Sequence, residues 1–419
     1  MAPPRPQAVC APEPVPAAFS ASVFLAGGET SDTSGDSSPA PRGAVLAHAL
    51  ELLAGKGFDG VVLSPLPRDG VRPESGERLL AWQEEALRLS DVLLLCVSGA
   101  RGSLPSQDAE LWGQWQRSGR MVLFAPGPAG AESPLLRAAA KAGVPVGRTL
   151  AEAVQHCLGL LRGSALRRGG ERAVPLPLWR SPSFQSWYRA LRRAGHRLDD
   201  AQVEWTYRSR GNGRPPLLWA MRPRVYIPTE RRHKAGEVVV GRTDVSATVL
   251  YHRGGGHGLH DTLVVLVREF RSAVRNGSGF GLMLPGGSSA QASEREQDPR
   301  RTALKEVHEE TGLLLETAQL EAVPAGDRQL MASLSSHHAY LYRAELSDTQ
   351  LALLQADAAG SRSHGANPNE RCYVTLRTVG SLLADQDLDW SQLGMVLLAL
   401  QPDRDKDKDR DRETDKAKS

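Results

Sequence analysis

The stretch whose reading decides the fold of the second half of this chain is Leu284–Leu314, LPGGSSAQASEREQDPRRTALKEVHEETGLL. It joins a glycine turn to a short helix. Asp298 followed by Pro299 predicts the helix start, because an Asp side chain accepts an orphan amide of the first turn and proline suits the first helical position. Gly312 predicts the stop, since glycine tolerates the left-handed exit conformation. Between them Glu306, Glu309 and Glu310 stand at i, i+3 and i+4, which brings their β-carbons within about 5–6 Å of neighbours on the helix surface. Three like charges so placed repel. A solvated helix would interleave lysines there, so the pattern points to a divalent cation.

Outward from that helix, these residues resemble the Nudix box, whose pattern is Gly-x5-Glu-x7-Arg-Glu-aliphatic-x-Glu-Glu-x-Gly-aliphatic. Lys305-Glu306-Val307-His308-Glu309-Glu310-Thr311-Gly312-Leu313 matches its second half except that Lys305 replaces arginine. Counting back, Gln297 stands where the isolated glutamate falls, and the loop from Gly287 is about four residues longer than the pattern. In the family that glutamate and arginine pair to brace the loop, so both members of the brace are altered here. Val267-Arg268-Glu269-Phe270-Arg271 followed by Leu284-Pro285-Gly286-Gly287 resembles the subgroup that cleaves ADP-ribose and other nucleotide sugars. The resemblance implies Glu306, Glu309 and Glu310 as metal ligands. It also implies Gly286 and Gly287 as the loop that approaches substrate, and Arg268 and Arg271 as substrate contacts. In that subgroup a loop before a late strand supplies a further glutamate, for which Glu370 is the candidate.

Length and composition set bounds on the rest. At 419 residues the chain has room for two or three domains. The net charge of +3 gives no support for nucleic-acid binding. Cys10, Cys96, Cys157 and Cys372 lack the spacing of a disulfide frame or zinc site and suit a reducing cytoplasm. Membrane spans need roughly 20 apolar residues, and no run approaches that. The proline-rich start MAPPRPQAVCAPEPVP lacks the apolar core of a signal peptide. Residues 1–20 and the charged tail 402–419 read as disordered.

From Ser22 onward, short apolar runs alternate with helix-length segments, which predicts an α/β domain with a parallel sheet over 21–162. The strands are SVFLAG from 22, GVVLSP from 60, DVLLLCV from 91 and MVLFAP from 121; helices fall near 43–55, 76–90, 107–118, 134–142 and 150–162. Ligands of such sheets sit at the carboxyl ends of strands, which here are Gly27-Gly28, Ser64-Pro65 and Ser98-Gly99.

The order of FLAGG, Trp82-Gln83-Glu84, Ser90-Asp91-Val92, Asp108-Ala109-Glu110-Leu111-Trp112 and Gly119-Arg120 resembles the nucleoside 2-deoxyribosyltransferase-like family, whose sheet is flavodoxin-like. The resemblance implies Glu110 as a glycosyl nucleophile and Asp91 as its partner, chemistry that a carboxylate performs by trapping an oxocarbenium-like centre. Trp112 stands where that family has glycine. The same residues are also compatible, in descending order, with a nucleotide-binding domain without turnover and with a scaffold in which Asp91 caps a strand and Glu110 sits on a helix surface.

The segment 163–177 is rich in glycine and arginine, ends in proline, and reads as a linker. Residues 178–401 then read as an α+β Nudix domain. Phe184, Trp187, Tyr188 and Leu191 take helical spacing and predict a packing face, strand-like runs follow to Ser272, and a last helix spans about 390–400. Hard oxygen ligands favour Mg²⁺ or Mn²⁺. The implied whole is a cytoplasmic enzyme that cleaves the diphosphate of a nucleotide or nucleotide-sugar substrate, without nucleic-acid or membrane partners. The subgroup is commonly dimeric, which leaves a homodimer open. A nucleotide-sugar sensor of weak or no turnover is the competing reading.

Overall fold

The computed structural model describes residues 5–27, 43–67, 75–97, 106–126, 133–207, 216–254, 258–288, 298–366, 370–385 and 387–401. The chain divides into two compact units, Met1–Arg242 and Thr243–Ser419. Gly28, Ser98, Gly99, Gln297 and the tail 402–419 lie outside the described residues.

In the first unit six parallel strands lie in the order Gln7–Cys10, Val61–Ser64, Ser22–Gly27, Val92–Cys96, Met121–Phe124 and Val146–Gly147. Setting the first aside, the order is that of a doubly wound sheet. It reverses direction between Ser22–Gly27 and Val92–Cys96, where the ligand crevice of such sheets opens. The four inner strands are largely apolar because both faces are covered. Phe24, Leu63, Leu93, Leu95 and Leu123 pack on one side with helices Gly76–Arg88, Ser106–Trp115 and Pro134–Ala142. Val23, Val62, Leu94 and Val122 pack on the other with Ala44–Gly55 and Leu150–Leu161. Alternate residues of a strand face opposite ways, so one apolar run feeds two cores.

Three expectations require correction here. Residues 5–20 are ordered: Gln7–Cys10 forms the edge strand beside Val61–Ser64, and Val9 and Phe19 are buried in the core. The proposed linker 163–177 is built into the unit. Arg167 is fully buried and forms a bidentate ion pair with Asp91, donating from Nη1 to Oδ1 at 2.7 Å, and Val174 and Leu176 are also fully buried.

The boundary therefore falls after Arg242 rather than at 163–177. Helix Pro182–Arg193 and the four antiparallel strands Arg197–Tyr207, Leu218–Ile227, Arg232–Lys234 and Val239–Arg242 belong to the first unit. Phe184, Tyr188, Leu198 and Trp219 bury in the same cluster as Phe24 and Leu95. The aromatic face is a packing face: Phe184 meets Trp219 at 5.8 Å between ring centroids, and Trp219 Nε1 donates to Ser183 Oγ at 3.0 Å.

The second unit is an eight-stranded mixed sheet between helices. Its main path runs Glu321–Gln329, His338–Glu345, Val245–His252, Leu263–Phe270, Cys372–Thr378 and Ser363–His364, with Phe280–Met283 and Gly286–Gly287 as side branches. Val245–His252 pairs in parallel with His338–Glu345, and the remaining pairs are antiparallel. One face carries helices Val379–Ala384 and Trp390–Leu400 over Val249, Val264 and Leu266. The other carries Pro299–Thr311 and Asp348–Gly360 over Leu250, Val265 and Val374. Part of the loop expected at 358–369 is thus regular: it ends a helix and forms the short strand Ser363–His364, while 367–369 lie outside the described residues. Among the described residues no helix is long and apolar enough to cross a membrane.

Candidate active site

Helix Pro299–Thr311 follows its sequence signals closely. Asp298 Oδ1 accepts from Arg300 N at 2.9 Å, Pro299 occupies the first turn, and Gly312 exits with φ 72°. Ala303, Val307 and Thr311, spaced by four, are buried on the sheet. This stripe fixes the helix rotation and places Glu306 and Glu310 along its edge, facing the glycine turn.

The turn is built to receive them. Gly286 and Gly287 pair with Ala247 and Ser246, and Gly286 N donates to Glu310 Oε2 at 2.9 Å. A β-carbon on Gly286 would lie 2.3 Å from Ser246 O, so glycine is required by the approach of the neighbouring strand. On Gly287 it would lie 2.6 Å from Glu306 Cδ. The missing side chain is thus the space in which the Glu306 carboxylate lies.

The strands beneath supply two groups that the sequence did not single out. Along Leu263–Phe270, Val265 faces the helix, and so does Glu269. Glu269 is only 7% exposed. One position beyond the Arg268–Tyr373 pair of the neighbouring strand, Cys372 stands beside it. Ligand atoms of Glu269, Glu310 and Cys372 lie within 4.8 Å of one another. Among the described residues this is the group of three that converges so closely; Glu306, Glu309 and Glu310 do not.

Electrostatics follow from burial. Desolvation pushes the Glu310 carboxyl up to about 8, the Gly286 amide opposes this, Glu306 and Glu269 add to it, and Arg271 opposes it. Burial likewise raises Glu306, with Lys305 opposing and Glu309 and Glu370 adding. The Cys372 thiol is pushed up to about 12 by burial, then by Glu310 and Glu269.

The other expected residues divide. Glu370 is exposed, and its charge reaches Glu306, Lys305 and Cys372, so it joins the site. Arg271 joins as well, with Nη2 2.7 Å from Glu269 Oε2. Arg268 does not. It lies on the opposite face of the sheet, its guanidinium 4.7 Å from the Phe280 ring centroid and 5.2 Å from that of Tyr373. Glu309 turns to Lys305, whose Nζ donates to Oε2 at 2.8 Å. On that side of the helix a cavity of about 570 Å³ is lined by His308, Glu309, Gly312, Asp357, Arg362 and His364.

In the first unit the expected catalytic pair is not assembled. Asp91 is fully buried at the amino end of its strand, away from the carboxyl ends where ligands of this sheet type sit. Its oxygens accept from Arg167, from Ser22 N at 2.8 Å and from Leu176 N at 2.6 Å. That is a structural brace, which corrects the catalytic reading of Asp91. Glu110 is exposed on its helix and accepts from Gln114 Nε2 at 3.2 Å. The half-buried carboxylate of that helix is Asp108, raised by desolvation, whose charge reaches Cys96 at the carboxyl end of its strand. Its place on the inner side of an amphipathic helix was the available signal.

Comparison with protein-family models gives no match, and comparison with curated proteins gives none.

Proposed function

We propose that the second unit is a divalent-metal-dependent hydrolase of the Nudix type, acting on the diphosphate of a nucleotide sugar or a related nucleoside diphosphate derivative. The observation that carries this reading is the seating of Glu310 and Glu306 against the Gly286–Gly287 turn, one by a hydrogen bond and one in the space of a missing side chain. The donor set suits Mg²⁺ or Mn²⁺. Glu306 and Glu310 are oxygen ligands in a negative, partly dry setting that a cation would neutralise. Glu309 completes the set once released from Lys305. Bound there, the metal supplies charge neutralisation on the bridging oxygens and acidifies a water.

The protein's own groups do the rest. Water attacks one phosphorus, the anhydride P–O bond breaks, and the products are a nucleoside monophosphate and a phosphorylated remainder. Glu310 or Glu370 orients the water and takes its proton. Arg271, half exposed beside Glu269, meets the anionic substrate.

The first unit is proposed as a nucleoside- or nucleotide-binding domain, supported by the doubly wound strand order and by Gly27. Gly27 has φ +75°, and a β-carbon there would strike Cys96 O at 2.0 Å. Four buried free thiols and a net charge of only +3 support a cytoplasmic protein acting on small molecules, with a homodimer left to measurement. A sensor without turnover is favoured by one observation, the Lys305–Glu309 ion pair that withdraws a carboxylate.

One assay separates the readings. The chain is incubated with Mg²⁺ and ADP-ribose, NAD or sugar nucleotides, and nucleoside monophosphate is measured. Turnover in wild type, lowered on the order of 10²-fold or more in Glu310→Gln, is expected. Binding without product in wild type would sink the enzyme reading in favour of the sensor.

A further inference from the structure

The cavity of about 570 Å³ has no part in the hydrolytic scheme, yet its size is that of a small-molecule pocket. It opens where the carboxyl ends of helices Pro299–Thr311 and Asp348–Gly360 meet the short strand Ser363–His364. The group held most firmly in its wall is His364, whose side chain is only 9% exposed. His364 Nε2 lies 3.2 Å from Asp357 Oδ2. A carboxylate there keeps the ring proton on Nε2, so in the neutral ring Nδ1 is an acceptor. The Nδ1 edge of the ring passes over Gly312, where a β-carbon would come within 3.2 Å of that nitrogen. Among the described residues no group bonds Nδ1, and it is not sealed from solvent. A carboxylate-held imidazole thus offers one unused acceptor to the cavity.

The rest of the wall has two characters. Asp357 and Glu309, each 25% exposed, and the Ser363 hydroxyl add oxygens that accept from hydroxyl groups. Arg362 adds a guanidinium. It is 72% exposed, and its Nη1 stands 3.9 Å from Asp357 Oδ1, beyond hydrogen-bond length. Leu353 and Leu354 supply an apolar side against which the C–H groups of a sugar pack. A bare anion would be repelled by the two carboxylates. A bare cation fits no better, since among the described residues the ligand atoms here do not converge as a metal site requires.

We propose that this cavity binds a phosphorylated sugar, with a sugar hydroxyl donating to His364 Nδ1 and the phosphate received by Arg362. Glu309 belongs both to this wall and to the proposed metal set. Gly365, also in the wall, packs on the Glu370 backbone, so close that a β-carbon there would lie 2.1 Å from Glu370 O. The cavity therefore adjoins the hydrolytic carboxylates. The natural occupant, a point that rests on the hydrolase reading, is the phosphorylated remainder after cleavage. Binding itself needs no turnover.

The test is calorimetric titration of the full chain, metal-free, with ribose 5-phosphate and glucose 1-phosphate, and with ribose, glucose and inorganic phosphate as controls. One of the sugar phosphates should bind saturably, and tighter than its free sugar or inorganic phosphate by on the order of tenfold. Arg362→Ala and His364→Gln should each weaken that binding by on the order of tenfold. No saturable binding of either sugar phosphate, inorganic phosphate binding equally well, or affinity unchanged in both variants would overturn the assignment. Should His364→Gln fail to fold, Arg362→Ala, at an exposed position, decides alone. The readout requires neither metal nor catalysis, so failure of the hydrolase reading and failure of this one remain distinguishable.

Discussion

At the scale of single residues, two carboxylates, the buried Asp91 and the partly buried Glu310, serve opposite ends. Asp91 is saturated by Arg167, Ser22 and Leu176, and its partner shares its complete burial. Arg167→Ala should therefore destabilise the first unit by about 3–5 kcal/mol, because it leaves an uncompensated buried charge; denaturant unfolding measures this. An Arg167→Ala chain as stable as wild type would contradict the brace. Glu310 is instead poorly compensated. Its folded value of about 8 lies above its ordinary 4.5, so its contribution to stability is complete below the lower value and is lost as pH rises through the upper one. The melting temperature of the metal-free chain should fall across that window. Glu310→Gln, which keeps an acceptor for Gly286 N, should flatten the fall; an unchanged pH profile in the variant would count against it.

At the scale of elements, the helix Pro299–Thr311 and the turn Gly286–Gly287 form one device. Gly287→Ala meets only the mobile end of Glu306, so stability should change little while the carboxylate is displaced. Mn²⁺ affinity, followed by electron paramagnetic resonance, should weaken by on the order of tenfold. Gly286→Ala meets the backbone of Ser246 and should unsettle the strand pairing itself, which a lowered melting temperature would report. Asp298→Ala, by contrast, should cost about 1 kcal/mol through the lost cap and leave the ligands in place. The helix ends and the closeness of the three glutamates were legible in the sequence because capping and helical spacing are local, whereas the turning of Glu309 to Lys305 was not. Glu269 and Cys372 were not, since their partnership depends on strand register between segments about a hundred residues apart.

At the scale of the whole molecule, the core of the first unit recruits residues far beyond its parallel sheet. A chain ending at Leu161 lacks Arg167 and the buried Val174, Leu176 and Trp219, so it should fail to unfold cooperatively, whereas 1–242 should melt as a folded unit; circular dichroism of the two fragments tests this. By itself the sequence determined the parallel α/β pattern, the helix boundaries near the glycine turn and the line of glutamates, because propensity, capping and periodicity act within a few residues. Only the tertiary structure decided that Asp91 is a brace, that Arg167, Val174 and Leu176 pin the segment before Pro177 into the first unit, that Arg268 faces away from the carboxylates, and that Glu269 and Cys372 lie beside Glu310. Each of these depends on which segments become neighbours, and burial and register, rather than local preference, set those neighbours.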